Sequence, residues 1–202
     1  MSEAIAPLTK LEAVNQMLRD IGERETNSLS SPSRSDVIKA IAALEHVSRG
    51  VQLQGFWFNT ELIEVTVNGS GQYAIPSTAA RVEISSGGPT SGTRGAPKLV
   101  VRGRVLYDTV NATDVFALTD PSVELYIVRL LEFTDLPATA RDYVYAAASI
   151  RFQSQVLGSA SVDSDLQQQA RLLRAVLGNE DVKHNPEVPT YAARFVDMMH
   201  RR

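Results

Sequence analysis

The spacing of apolar positions changes period twice along this chain. It is helical to about residue 59, alternating to about 134, and helical again beyond. Leu11, Val14, Leu18 and Ile21 recur three or four residues apart, which predicts an amphipathic helix with one buried stripe. Thr9, with Glu12 three residues on, forms the pattern of a capping box at its start. Gly22 supplies the left-handed residue that stops it. A polar, serine-rich loop follows over residues 26–35, and Ser33 with Asp36 are the candidate caps of a second helix. The stripe of that helix reads Val37, Ile38, Ile41, Leu44, Val47 and Val51, and it closes near Gly55, ahead of Phe56, Trp57 and Phe58. Core filling is the ordinary role of such aromatics, because they bury large areas. At the border of two patterns they are also placed to fix the angle between two domains.

From residue 60 the chain alternates. Leu62-Ile63-Glu64-Val65-Thr66-Val67 reads as a strand, and Asn68-Gly69-Ser70-Gly71 as a turn. Gln72-Tyr73-Ala74-Ile75-Pro76 reads as a return strand whose proline favours a sheet edge or a strand end. Arg81-Val82-Glu83-Ile84 is a further short strand. Residues 85–97 hold four glycines and two prolines, the composition of an exposed loop. Residues 98–108 predict a hairpin turning at Arg102-Gly103-Arg104. Residues 123–131 give the longest strand, expected at the centre of an inserted sheet of about five or six strands.

Helical spacing then returns. Asp135 is a candidate cap, and Pro137 sits where a first-turn proline is tolerated. The helix runs to about Leu157 and stops at Gly158. Its Ala146-Ala147-Ala148 run lets a neighbouring backbone come close, so this helix is expected to be enclosed on more than one side. A last helix starts at Asp163 or Ser164, carries Leu166, Ala170, Leu173 and Leu177 on one stripe, and ends at Gly178-Asn179. Asn185-Pro186-Glu187-Val188-Pro189 must be extended, since each proline disfavours helix at the residue before it. Tyr191, Phe195, Met198 and Met199 then share one face of a short helical segment. The whole predicts an α+β fold. Residues 1–59 and 135–180 form a discontinuous helical domain, residues 60–134 an inserted, mostly antiparallel β domain, and residues 181–202 an extended tail with a short helix.

Composition narrows the chemistry. The 202 residues are 44% hydrophobic and 21% charged, which suits a chain that buries a core. The net charge of -3 offers no overall affinity for nucleic acid. Absence of cysteine removes disulfides, thiolate metal sites and cysteine nucleophiles. The N-terminus lacks the basic start and apolar run of a signal peptide, and no apolar stretch reaches the roughly 20 residues of a membrane span. His46, His184 and His200 share no metal-ligand spacing, and neither Gly69-Ser70-Gly71 nor Gly158-Ser159-Ala160 matches a nucleophile elbow. The glycines between residues 88 and 95 lack the ending of a phosphate loop. No catalytic residue, metal site or cofactor is therefore expected. Two features stay open. Glu61 with Glu64, or Glu124 with Glu132, form carboxylate pairs of the kind a glycan hydrolase needs, although solvated sheet carboxylates are far commoner. Arg94, Lys98, Arg102 and Arg104 concentrate positive charge, either to protect a sheet edge or to touch DNA phosphates.

Several landmarks fall in a telling order. Ile21-Gly22-Glu23 ends the first helix, and a serine-rich loop and second helix follow. Then come Gly55-Phe56-Trp57-Phe58-Asn59, Val105-Leu106-Tyr107-Asp108, Leu130-Leu131-Glu132-Phe133-Thr134-Asp135-Leu136-Pro137 and Ala148-Ser149-Ile150-Arg151-Phe152. Over most of its length the chain resembles the tail tubular protein A family of short-tailed bacteriophages. That resemblance implies a structural virion protein made in the host cytoplasm. It implies a dodecameric adaptor ring at the head–tail junction, between the portal and a tubular-protein-B-like nozzle. DNA is ejected through the channel without specific binding, and there is no membrane anchor or enzymatic activity. Candidate ring or partner contacts are Ala146, Ala147 and Ile150 on the alanine-rich helix and Tyr191, Phe195 and Met198 in the tail. The alternative expectation is a tail-associated glycan hydrolase using paired carboxylates.

Overall fold

The computed structural model describes residues 7–89, 97–158 and 164–184. The fold is α+β, with helices from both ends of the chain and a β region inserted between them. It divides into two compact units, residues 1–58 with 131–202, and residues 59–130.

In the helical unit, α1 (Lys10–Asp20) begins with the expected capping box. The Glu12 N–H donates to Thr9 Oγ1 at 3.2 Å, and the Thr9 N–H donates to Glu12 Oε2 at 2.8 Å. It ends in a Schellman turn, with Gly22 at φ +77° and the Glu23 N–H on the Leu18 carbonyl at 2.9 Å. Helix α2 (Ser35–Gln52) is not capped by Ser33. Its cap residue is Arg34, which makes no side-chain cap bond. The Arg34 guanidinium instead engages Asp36 and donates to the Arg24 carbonyl at 2.6 Å, so it organises the incoming loop. The inward face of α2 runs through Val37, Ala40, Ala43, Leu44 and Val51, and Ile38 is exposed rather than part of the stripe. Helix α2 packs against α3 (Ala138–Val156).

The cap residue of helix α3 is Pro137, not Asp135. Asp135 closes a 3-10 turn, Phe133–Asp135, and Pro137 itself is extended. Packing against α1, α2 and α4 (Ser164–His184) encloses α3 as its alanines predict. Leu18, Leu44, Phe56, Leu136, Val144, Phe152 and Leu177 are buried in one core. Helix α4 does not end at Gly178-Asn179. Asp181 is buried and accepts the Trp57 N–H at 2.9 Å, and the His184 ring stacks on Trp57 at 5.2 Å. These tertiary contacts carry the helix past a glycine that disfavours it by about 1 kcal/mol.

Side-chain amides hold two connectors of this unit. Asn15 Nδ2 donates to the Thr26 carbonyl at 3.0 Å while its Oδ1 accepts the Thr26 N–H at 2.9 Å. Gln52 does the same to Leu131, at 3.0 and 2.7 Å. Each amide satisfies both backbone groups of one residue, as a paired strand would.

Among the described residues, the β unit holds two sheets rather than one sheet of five or six strands. One has the order β1-β5-β2, all antiparallel: Thr60–Val65, Val123–Val128 and Arg81–Gly87. The other is the hairpin β3 (Leu99–Arg102) with β4 (Val105–Asp108), turning at Gly103-Arg104 as expected. Strand β5 is central but ends at Val128, and its 6 residues are fewer than the 7 of β2. Residues 72–76 form no strand. Tyr73 bridges Val67 and Ala74 bridges Val105, both isolated, and the Tyr73 side chain enters the core. There it meets Phe116 at 4.9 Å and donates its hydroxyl to the Pro121 carbonyl at 2.5 Å. Beyond a bulge after Ile84, Gly87 sits at φ +84°, where a Cβ would lie 2.4 Å from the Ser122 carbonyl oxygen.

Candidate assembly surfaces

The aromatic segment is a built joint of the helical unit. Gly55 adopts φ +78° and turns the chain out of α2. Phe56 enters the core and stacks on Phe58 at 5.5 Å, and Trp57 meets Phe58 edge-on at 5.1 Å. The Trp57 backbone and ring are held by Asp181 and His184 at the end of α4. Core filling therefore accounts for Phe56, and anchoring of α4 accounts for Trp57.

Of the sequence-predicted contact residues, Ala146 is fully buried, and it meets Leu166 and Ala170 of α4 in a small apolar cluster. Ile150 packs on the same cluster, and Ala147 is half-buried. The close approach that the alanines permit is thus made by the chain's own last helix, and Ala146 keeps no surface to offer a second subunit. Tyr191, Phe195, Met198 and Arg94 lie outside the described residues.

An exposed apolar face was missed. Leu172, Val176 and Val182 on α4 are 62%, 45% and 52% exposed, and Ala175 between them is also exposed. They lie away from the inward residues Leu166, Ala170, Leu177 and Asp181 of the same helix. The signal was present in sequence: Leu172 and Val176 are four apart but out of phase with the buried stripe.

The basic hairpin is largely spoken for. Arg104 Nη1 donates to the Pro76 and Ala79 carbonyls at 3.0 and 2.9 Å. The Arg102 guanidinium lies 3.7 Å from the centre of the Tyr107 ring, a cation–π contact across the hairpin. Lys98 is exposed, and its N–H donates to Asp108 at 3.2 Å. Asp108 is the organiser of this hairpin end. Its carboxylate also accepts the Val110 N–H at 2.8 Å and Asn111 Nδ2 at 2.6 Å. Burial pushes its pKa up, but the Asn111 side chain and the backbone N–H groups outweigh that and hold it below its ordinary value.

The carboxylates separate by strand geometry. Glu61 and Glu64 are three apart on β1, so they face opposite sides of the sheet, and Glu61 pairs with Arg129 at 2.9 Å. Glu64 instead stands directly across from Glu124 on the outer face. Each accepts a serine hydroxyl, from Ser122 and Ser86 respectively, and both are exposed. Glu132 is the exposed cap of the 3-10 turn. Among the described residues, no three His, Asp or Glu side chains gather as metal ligands, and no helix is long and apolar enough to cross a membrane.

A family model described as tail tubular protein matches residues 11–186, and so runs through both units. The chain belongs to the tail tubular protein family. The match agrees with the resemblance read from the landmark motifs and makes this a structural protein of the phage tail. Tail tubular protein A of Klebsiella phage KP34 is 28% identical over 194 residues, covering 96% of this chain and 97% of that one. Solved structures with similarity include a chain of a native gene transfer agent virion, at 12% identity and a TM-score of 0.32, covering 85% of this chain and 95% of that one. A chain from the neck of an empty gene transfer agent particle has 12% identity and a TM-score of 0.30, covering 83% and 93%.

Proposed function

We propose that this tail tubular protein is the subunit of a dodecameric adaptor ring that joins the portal to the tail nozzle and lines part of the DNA ejection channel. The observation that carries this reading is the nearly full-length match to a tail tubular protein A, across both the helical and the β unit. A ring needs two unlike faces on each subunit, and this chain presents unlike surfaces. One is an apolar helix face on α4, and the other is a polar sheet face carrying Glu64, Glu124, Arg81 and Glu83. The basic hairpin residues Lys98, Arg102 and Arg104 serve to protect the sheet edge, since Arg102 and Arg104 already hold partners within the hairpin and its neighbouring turn. A net charge of -3 suits a channel through which DNA slides rather than being gripped.

Mixing the purified protein with portal and imaging by negative stain tests the proposal. Closed rings capping the portal are expected. A mixture that stays unassembled, or that forms only open filaments, contradicts it. The same rings should show little salt-sensitive affinity for duplex DNA, because few phosphates are neutralised.

A further inference from the structure

The β unit carries opposite charges, unmatched within the chain, on opposite sides of one core. Its two sheets share that core. Val123, Leu125 and Ile127 face it from the larger sheet, and Leu99 and Leu106 face it from the hairpin. Side chains alternate along a strand, so the other face of each sheet points away from the core. The two outer faces therefore cannot meet within one chain.

The outer face of the larger sheet sets Leu62 beside Tyr126 and, two residues along, Glu64 beside Glu124. Leu62 is 52% exposed, and both glutamates are exposed. Like charges directly opposite on neighbouring strands repel, and the chain answers these two only with the Ser122 and Ser86 hydroxyls. It supplies cations elsewhere on the same sheet, Arg129 to Glu61 and Arg81 to Glu83. Among the described residues, none is paired with Glu64 or Glu124.

The outer face of the hairpin is the complement. Val100, Val105 and Tyr107 lie half-buried on it, together with the exposed Arg102, and the exposed Lys98 stands two residues before Val100. Arg104 is spent on the Pro76 and Ala79 carbonyls. Among the described residues, Lys98 and Arg102 make no ion pair. The Tyr107 ring, 3.7 Å from the Arg102 guanidinium, fixes where that group stands and leaves its N–H donors for an acceptor. The charges of the hairpin guard its edge, and the face beside that edge is a separate surface.

We infer that the outer hairpin face of one copy of this chain docks on the outer sheet face of the next, with Arg102 seated against Glu64 and Glu124. Those carboxylates project from positions about 5 Å apart, a spacing that a guanidinium fork can bridge. Lys98, about 13 Å from Arg102 along the strand, adds charge at the margin. Val100, Val105 and Tyr107 then meet Leu62 and Tyr126. The occupant is a second copy because one chain carries both halves, two anions and two cations that it does not pair itself. Each docking leaves one face of each kind free, as a head-to-tail ring requires. The inference rests on the ring proposed above and names the two faces that meet in its β layer.

Charge exchange in the full-length chain, mixed with portal and imaged by negative stain, tests it. Glu64→Lys with Glu124→Lys makes both outer faces basic, and Lys98→Glu with Arg102→Glu makes both acidic. Each variant alone should form rings at a yield at least about tenfold below wild type, because like charges meet at every contact. An equal mixture of the two should recover ring formation, since alternating copies again set opposite charges together at every contact. All four positions are exposed, so monomer abundance and helical circular dichroism should match wild type. Full ring yield from either variant alone overturns the docking and leaves the adaptor standing. So does a loss that the mixture does not recover. Wild-type chains that form no ring with portal remove the adaptor reading itself.

Discussion

At the residue scale, one carboxylate and one glycine of the β unit bear most weight. Asp108 ties the start of β3, the end of β4 and the 108–113 loop together through Lys98, Val110 and Asn111. Its pKa is lowered in the folded state, so its contribution is fully present above the unfolded value of about 3.9 and is lost as pH falls through the lower folded value. Asp108→Asn should lower the unfolding midpoint at neutral pH. The gap to wild type should close on acidification below about pH 4 when both are followed by denaturant titration. Gly87→Ala adds a Cβ at 2.4 Å from the Ser122 carbonyl in a left-handed conformation. It should cost about 2–3 kcal/mol in the same titration. The local signals behind α1 were legible, because the capping box and Gly22 act over three or four residues. The role of Asp108 was not, because its partners lie on both sides of the hairpin and in the next loop. Only the Tyr-Asp motif marked the place.

At the scale of elements, helix ends were misread wherever a distant contact decided them. Gly178 looked like a stop, yet the helix continues because Asp181 and His184 find Trp57. A side chain at position 178 meets nothing within 4 Å, and the φ there is helical. Gly178→Ala should therefore stabilise the protein by about 0.5–1 kcal/mol, read as a raised thermal midpoint. Gln52 shows the opposite case, a polar side chain made indispensable by burial. Gln52→Met keeps the bulk but leaves both the Leu131 N–H and the carbonyl without their amide partner. A loss of about 2–4 kcal/mol is expected, with faster hydrogen exchange at the Leu131 amide. The strand count erred for the same reason as the helix ends. Alternation identified residues 72–76 as extended, but they bridge Val67 on one side and Val105 on the other, each at a single residue, before the chain turns at Pro76. Alternation does identify β5, where Val123, Leu125 and Ile127 are all buried and the strand is paired on both sides.

At the scale of the molecule, the order of elements was the most legible property: helices, an inserted β region, and helices again. Family membership was legible from the same order of landmarks. What periodicity could not show is which apolar face the chain consumes for itself. The alanine-rich α3 is spent on α4 through Ala146, and the free face belongs to α4. The central claim is that this chain works by geometry, as one wedge of a closed ring at the head–tail junction. Cryo-electron microscopy of intact particles, with the subunit located by fitting this fold, tests it most directly. The account predicts a dodecameric ring between portal and nozzle. Copies found elsewhere on the tail, or not closed into a ring, contradict it.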